Sequence, residues 1–111
     1  MFTEKKLAAD VSSLGVQEGM VVLMHTSYKA IGAVKGGPTA VLRALLSAVG
    51  EKGTLVLPTM SLNLCDPSEE ENAHPEDQWE HVRGTTPLYD PATSPTIFMG
   101  IIPETFRQMQ T

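Results

Sequence analysis

The stretch from Val21 to Pro58 constrains this chain most: an apolar run, a glycine-punctuated hinge, an amphipathic helix and a second apolar run. Val21-Val22-Leu23-Met24-His25 reads as one short strand and Thr54-Leu55-Val56-Leu57-Pro58 as another. Between them, Thr26 to Gly37 forms a hinge. A helix is predicted from about Pro38 to Val49, with Val41, Leu42, Leu45, Leu46 and Val49 on its apolar face. Strands joined by a helical crossover pair in parallel. The end of the first strand and the start of the helix then face one crevice, where α/β sheets hold their ligands. Because Val21–Met24 is apolar at every position, it is expected to be buried on both faces.

The flanks read as packing and loop. Thr3 is expected to cap a first helix running to about Leu14, stopped by Gly15. From Met60 the periodicity fades, and Ser61 to Pro87 is rich in Asp, Glu, Asn and Pro. Trp79 and Val82 are its expected anchors, on a short helix from Pro75 to Arg83 ended by Gly84. Leu88-Tyr89-Asp90-Pro91 reads as a turn, and a last helix runs from about Gly100 to Met109, with Pro103 tolerable in its first turns. Two strands do not make a sheet with a core. The expected fold class is therefore α/β: a partial three-layer domain on a parallel βαβ unit, with the remainder of the sheet missing.

Charge narrows the partners. The net charge is −5, but residues 1–65 hold four acids against six bases, whereas residues 66–90 hold eight acids against Arg83 alone. An acidic pI argues against nucleic acid as the main partner, and the anionic stretch favours a cationic ligand. No run approaches the roughly 20 apolar residues of a membrane span. Met1 to Lys6 lacks the apolar core of a secretory leader. A single cysteine, Cys65, suits a reducing compartment. The expectation is a cytoplasmic protein with no membrane partner; nothing in the sequence sets an oligomeric state.

The chemical candidates cluster at the crevice. His25, Thr26 and Ser27 end the first strand, so their polar groups need partners. A histidine there suits catalysis, although a structural histidine bonded to backbone is the commoner case. Ser27 sits in no nucleophile elbow and reads better as a ligand-binding hydroxyl. Gly36-Gly37-Pro38 before the helix either shapes a turn or offers backbone N–H groups to an anion, flanked by Lys29 and Lys35. Its spacing matches neither a Walker loop nor the dinucleotide fingerprint. His74 and His81 match no zinc spacing, so no metal is expected. Cys65 reads as an inert small hydrophobe. Glu69-Glu70-Glu71 reads as a solvated loop or, in the minority reading, as a cation-attracting rim.

Taken together, several segments resemble one family. Leu14-Gly15-Val16, Val22-Leu23-Met24-His25-Thr26-Ser27, Gly36-Gly37-Pro38 and Gly53-Thr54-Leu55-Val56-Leu57-Pro58-Thr59 resemble the amino-terminal part of the aminoglycoside 3-N-acetyltransferases, the antibiotic N-acetyltransferase family. Tyr89-Asp90-Pro91, Ser94-Pro95-Thr96, Met99-Gly100 and Pro103-Glu104-Thr105-Phe106-Arg107 continue the resemblance in the same order. Each segment is weak alone; the set is specific. Thr26 stands where the family often has serine, which keeps the hydroxyl.

The resemblance implies acetyl transfer from acetyl-coenzyme A to the 3-amino group of an aminoglycoside, as in antibiotic resistance. It places His25, Thr26, Ser27, Gly36, Gly37, Pro38 and Thr39 on the coenzyme side, and Tyr89 and Asp90 on the antibiotic side. The family's base histidine lies in its later half, beyond Thr111, so that role falls on none of His25, His74 and His81. Residues 1–111 are then expected to be the amino-terminal part of a single acetyltransferase domain, a fragment weakly active or inactive alone. A non-catalytic coenzyme- or nucleotide-binding module, or a non-functional remnant, stays open beside it.

Overall fold

The computed structural model begins with α1 (Glu4–Ser13), β1 (Val21–Leu23), α2 (Tyr28–Ile31), α3 (Gly37–Val49) and β2 (Thr54–Val56). The strands pair in parallel, with Val21 opposite Thr54, Val22 opposite Leu55 and Leu23 opposite Val56. The predicted βαβ unit is therefore present. Its strands are shorter than the apolar runs, although Met24 still donates its N–H to the Val56 carbonyl at 2.9 Å. The model describes residues 1–109, in two units: residues 1–58 with those from 99 onward, and residues 59–98.

In the first unit α3 is the central element, packed by α1, β2 and α5 (Ile101–Gln108). Its predicted apolar face fills the core: Leu42 and Val49 are almost fully buried, as is Ile102 of α5. Pro103 is buried in the first turn of α5, where its missing N–H breaks no helical bond. Thr3 caps α1 as expected, its hydroxyl accepting from the Lys6 N–H at 3.2 Å. The segment after α2 is pinned to the amino terminus. Phe2 donates to the Ala33 carbonyl at 2.9 Å and accepts from the Lys35 N–H at 2.8 Å.

Burial of the strands departs from the expectation. Val22 and Leu55 turn toward the helices, but Val21 is 74% exposed and Leu23 65% exposed, with Val56 exposed beside them. One face of the sheet is covered by helices and the other is open. The run looked doubly buried because every residue in it is apolar; that pattern fits a parallel strand with a layer on each side.

In the second unit α4 (Trp79–Thr85) follows short 3₁₀ turns and runs one residue past Gly84 rather than ending before it. Trp79 and Val82 are half-buried, as the anchoring role requires. The indole N–H of Trp79 donates to the His74 carbonyl at 2.8 Å, and the Arg83 guanidinium lies 5.4 Å from the centre of its ring. Among the described residues no helix is long and apolar enough to cross a membrane.

Candidate functional site

Beyond the carboxyl end of β1, Met24 to Ser27 lead into α2. The hydroxyl of Ser27 accepts from the Ala30 N–H at 3.2 Å, so it serves as the helix cap. Sequence reading missed α2 because four residues show no periodicity; the available signal was Ser27 itself, a favoured cap residue. His25 is exposed. Thr26 differs from both neighbours: its Oγ1 is buried and has no hydrogen-bond partner among the described residues. Thr26 lines an apolar cavity of about 210 Å³ together with Leu7, Met24, Ile31, Val41 and Leu45. A hydroxyl left without a partner away from water is costly, and such groups in native proteins call for an explanation.

The start of α3 follows the glycine hinge. Gly36 has φ of +89°, the left-handed region that glycine enters freely. The Gly37 N–H donates to the Val34 carbonyl at 3.0 Å, closing that turn. Pro38 has no N–H, so Thr39 carries the remaining first-turn donor that helix geometry leaves without an intrahelical acceptor. A side chain on Gly37 would meet nothing within 4 Å, so the approach to this helix start is open.

Tyr89 and Asp90 lie in the second unit. Tyr89 lines a recess of about 370 Å³ with Cys65, Asp66, Arg83 and Leu88. Asp90 organises a turn: its Oδ1 accepts from the Ala92 N–H at 2.9 Å, and its carbonyl accepts from the Ser94 N–H at 2.8 Å. Asp66 and Arg83, on the wall of the same recess, were not singled out from sequence. The guanidinium donates twice to the carboxylate, at 2.8 and 2.9 Å, and Ser68 adds its hydroxyl and N–H. Those bonds, Arg83's above all, hold the Asp66 carboxyl well below the usual carboxylate range. One signal was available: Arg83 is the single base among eight acids in residues 66–90. The ring Nδ1 of His74 donates to the Asn72 carbonyl at 2.6 Å, a structural use of that histidine.

A parallel βαβ unit with an open helix start and a hydroxyl near the strand end defines an α/β fold of the class that commonly places ligands at strand ends. Comparison with known proteins makes it specific. The family model of aminoglycoside 3-N-acetyltransferase matches residues 23–111, and the chain belongs to that family. It is 42% identical over 107 residues to the SPbeta prophage-derived aminoglycoside N(3')-acetyltransferase-like protein YokD of Bacillus subtilis, a match covering 95% of this chain and 39% of that protein. To the aminoglycoside N(3)-acetyltransferase IX of Micromonospora chalcea it is 37% identical, covering 83% of this chain and 32% of that protein.

The crystal structure of YokD from Bacillus subtilis superposes with a TM-score of 0.89 at 40% identity, covering 98% of this chain and 44% of that one. AAC-IIIb, solved as a binary complex with CoASH, superposes at 0.68 with 28% identity, over 96% of this chain and 39% of that one. AAC-VIa bound to sisomicin superposes at 0.78 with 27% identity, over 97% and 40%. The chain thus spans about a third to two-fifths of the length of the curated relatives it matches.

Proposed function

We propose that residues 1–111 form the amino-terminal part of a single aminoglycoside 3-N-acetyltransferase domain, the part that holds the coenzyme. The whole domain moves the acetyl group of acetyl-coenzyme A to the 3-amino group of an aminoglycoside, as in antibiotic resistance. The observation that carries this reading is the family match over residues 23–111, which takes in the strand end, the hinge and the helix start. The relative complexed with CoASH and the one bound to sisomicin support the two ligand classes.

The residues present fit a coenzyme. When bound, acetyl-coenzyme A supplies an acyl group activated as a thioester. The Thr26 hydroxyl has a donor to give, and no group among the described residues takes it. The Thr39 N–H and the positive end of α3 suit a phosphate, and Lys29 and Lys35 of the preceding segment are exposed. Gly36 and Gly37 keep that approach free of side-chain bulk, and Pro38 fixes the first turn. His25 and Ser27 flank Thr26 and shape the strand end. Tyr89 and Asp90 form the antibiotic side, where the negative charge of residues 66–90 favours ammonium groups. Attack by the amine also needs a base to take its proton. By the family resemblance that base lies beyond Thr111. Chemistry that uses coenzyme A fits a cytoplasmic location.

The chain alone should therefore bind coenzyme A and turn over weakly or not at all. Calorimetric titration with coenzyme A, beside thiol release in the presence of acetyl-coenzyme A and sisomicin, tests this. Binding without turnover is the expected result. Absence of binding overturns the coenzyme role, and turnover matching a full-length relative overturns the partial-site reading.

A further inference from the structure

The amino-terminal segment takes no part in the proposed chemistry, yet it is bonded to the hinge that does. Phe2 forms a parallel bridge with Val34. Its N–H donates to the Ala33 carbonyl and its own carbonyl accepts from the Lys35 N–H, so one residue grips the peptide groups on both sides of Val34. Phe2 lies ahead of residues 23–111, the stretch that the family model matches, so no part of that match marks it.

What Phe2 grips is a short link with a soft joint at each end. Gly32 ends α2 with φ of +90°, and Gly36 precedes α3 with φ of +89°. Backbone at a glycine rotates at low steric cost. Between the two joints the buried Val34 side chain fixes one point of the link. It does not fix the peptide planes on either side; the two bonds to Phe2 do that. The Val34 carbonyl in turn accepts from the Gly37 N–H, the bond that closes the turn into α3. A shift in the link therefore carries with it the Gly37 turn and the first-turn N–H of Thr39.

We propose that Phe2 is a positioning residue for the coenzyme side. Through its main-chain N–H and carbonyl it holds residues 33–35, and with them residues 36–39, in the conformation that receives coenzyme A. The main chain acts; the exposed ring takes no part. A loop held beforehand in its bound form binds more tightly, because the cost of ordering it is met in folding. This rests on the coenzyme reading above.

The test uses the full 111-residue chain. Phe2→Pro removes the N–H that the Ala33 carbonyl accepts, while Thr3 still caps α1. Circular dichroism should be unchanged. The Kd for coenzyme A, by calorimetry, should rise at least about fivefold. The Lys35 and Gly37 amides should exchange at least about tenfold faster than in the parent chain. At saturating coenzyme A, the NMR shift change of the Thr39 amide should shrink. Phe2→Leu keeps both main-chain groups and should match the parent in affinity, exchange and shift. Should Phe2→Pro disturb folding, Lys35→Pro removes the second bond instead, and Lys35→Ala controls for the lost charge. Parent-like affinity and exchange in Phe2→Pro overturn the proposal, and so does equal damage by Phe2→Leu. No coenzyme binding by the parent chain overturns the coenzyme reading as well, whereas parent binding that neither proline variant weakens overturns this inference alone.

Discussion

Thr26 and its neighbour Ser27 are both hydroxyl residues at the end of a strand, yet the fold treats them oppositely. Ser27 is committed to capping α2, whereas the Thr26 oxygen lies beside an apolar cavity with no partner among the described residues. Thr26→Val keeps the shape and removes the unsatisfied group, so the thermal midpoint should hold or rise, by up to about 1 kcal/mol in stability. Coenzyme A affinity, measured by calorimetry, should fall by about 0.5–1.5 kcal/mol, the net value of one neutral hydrogen bond. At Asp66 the prediction concerns pH. Its folded carboxyl titrates below the unperturbed value of 3.8, so the bonds it makes stabilise the fold above that pH and are lost as acid protonates it. The pair is exposed, so the effect on stability is small and screened by salt. Carboxyl-carbon NMR should place the Asp66 midpoint below 3.8, and Arg83→Gln should move it back up toward that value.

Among the elements, α3 was the most legible. Its prediction from Pro38 to Val49 differs from the observed Gly37–Val49 by one residue, because a wide apolar face, a glycine at each end and a proline in the first turn all agree. Its exit is tightly built: a Cβ on Gly53 would come within 2.2 Å of the Val49 carbonyl oxygen. Gly53→Ala should therefore cost about 1–3 kcal/mol, read as a lowered urea midpoint, because backbone must move to admit the methyl group. The last helix was also legible. Helix α4 was less so: the expected stop at Gly84 is overrun by one residue, and the first turn of the predicted helix is 3₁₀. A glycine away from a strong cap is a weak terminator.

For the whole molecule the decisive quantity is how much apolar surface finds cover. The first unit buries Leu42, Leu45, Val49 and Ile102 but leaves Val21 and Leu23 in water. Burying one such side chain is worth about 1.5–3 kcal/mol, and marginal domains live on totals of about 5–15 kcal/mol. The chain alone is thus expected to unfold over a broad, weakly cooperative thermal transition. Differential scanning calorimetry checks this; a single sharp transition with equal calorimetric and van't Hoff enthalpies would contradict it.

The sequence by itself determined the parallel βαβ unit, the cap of α1, the two ends of α3, and the family, because each of these is written in short-range periodicity or in ordered local motifs. Only the tertiary structure decided three things: which face of the sheet is open, that the Thr26 hydroxyl, unlike that of Ser27, has no partner among the described residues, and that Asp66 holds Arg83 across 17 positions. These depend on what the chain brings together or fails to cover. Residue identity alone cannot say whether an apolar strand has a neighbour, since the hydrophobic effect acts on exposed area and not on composition.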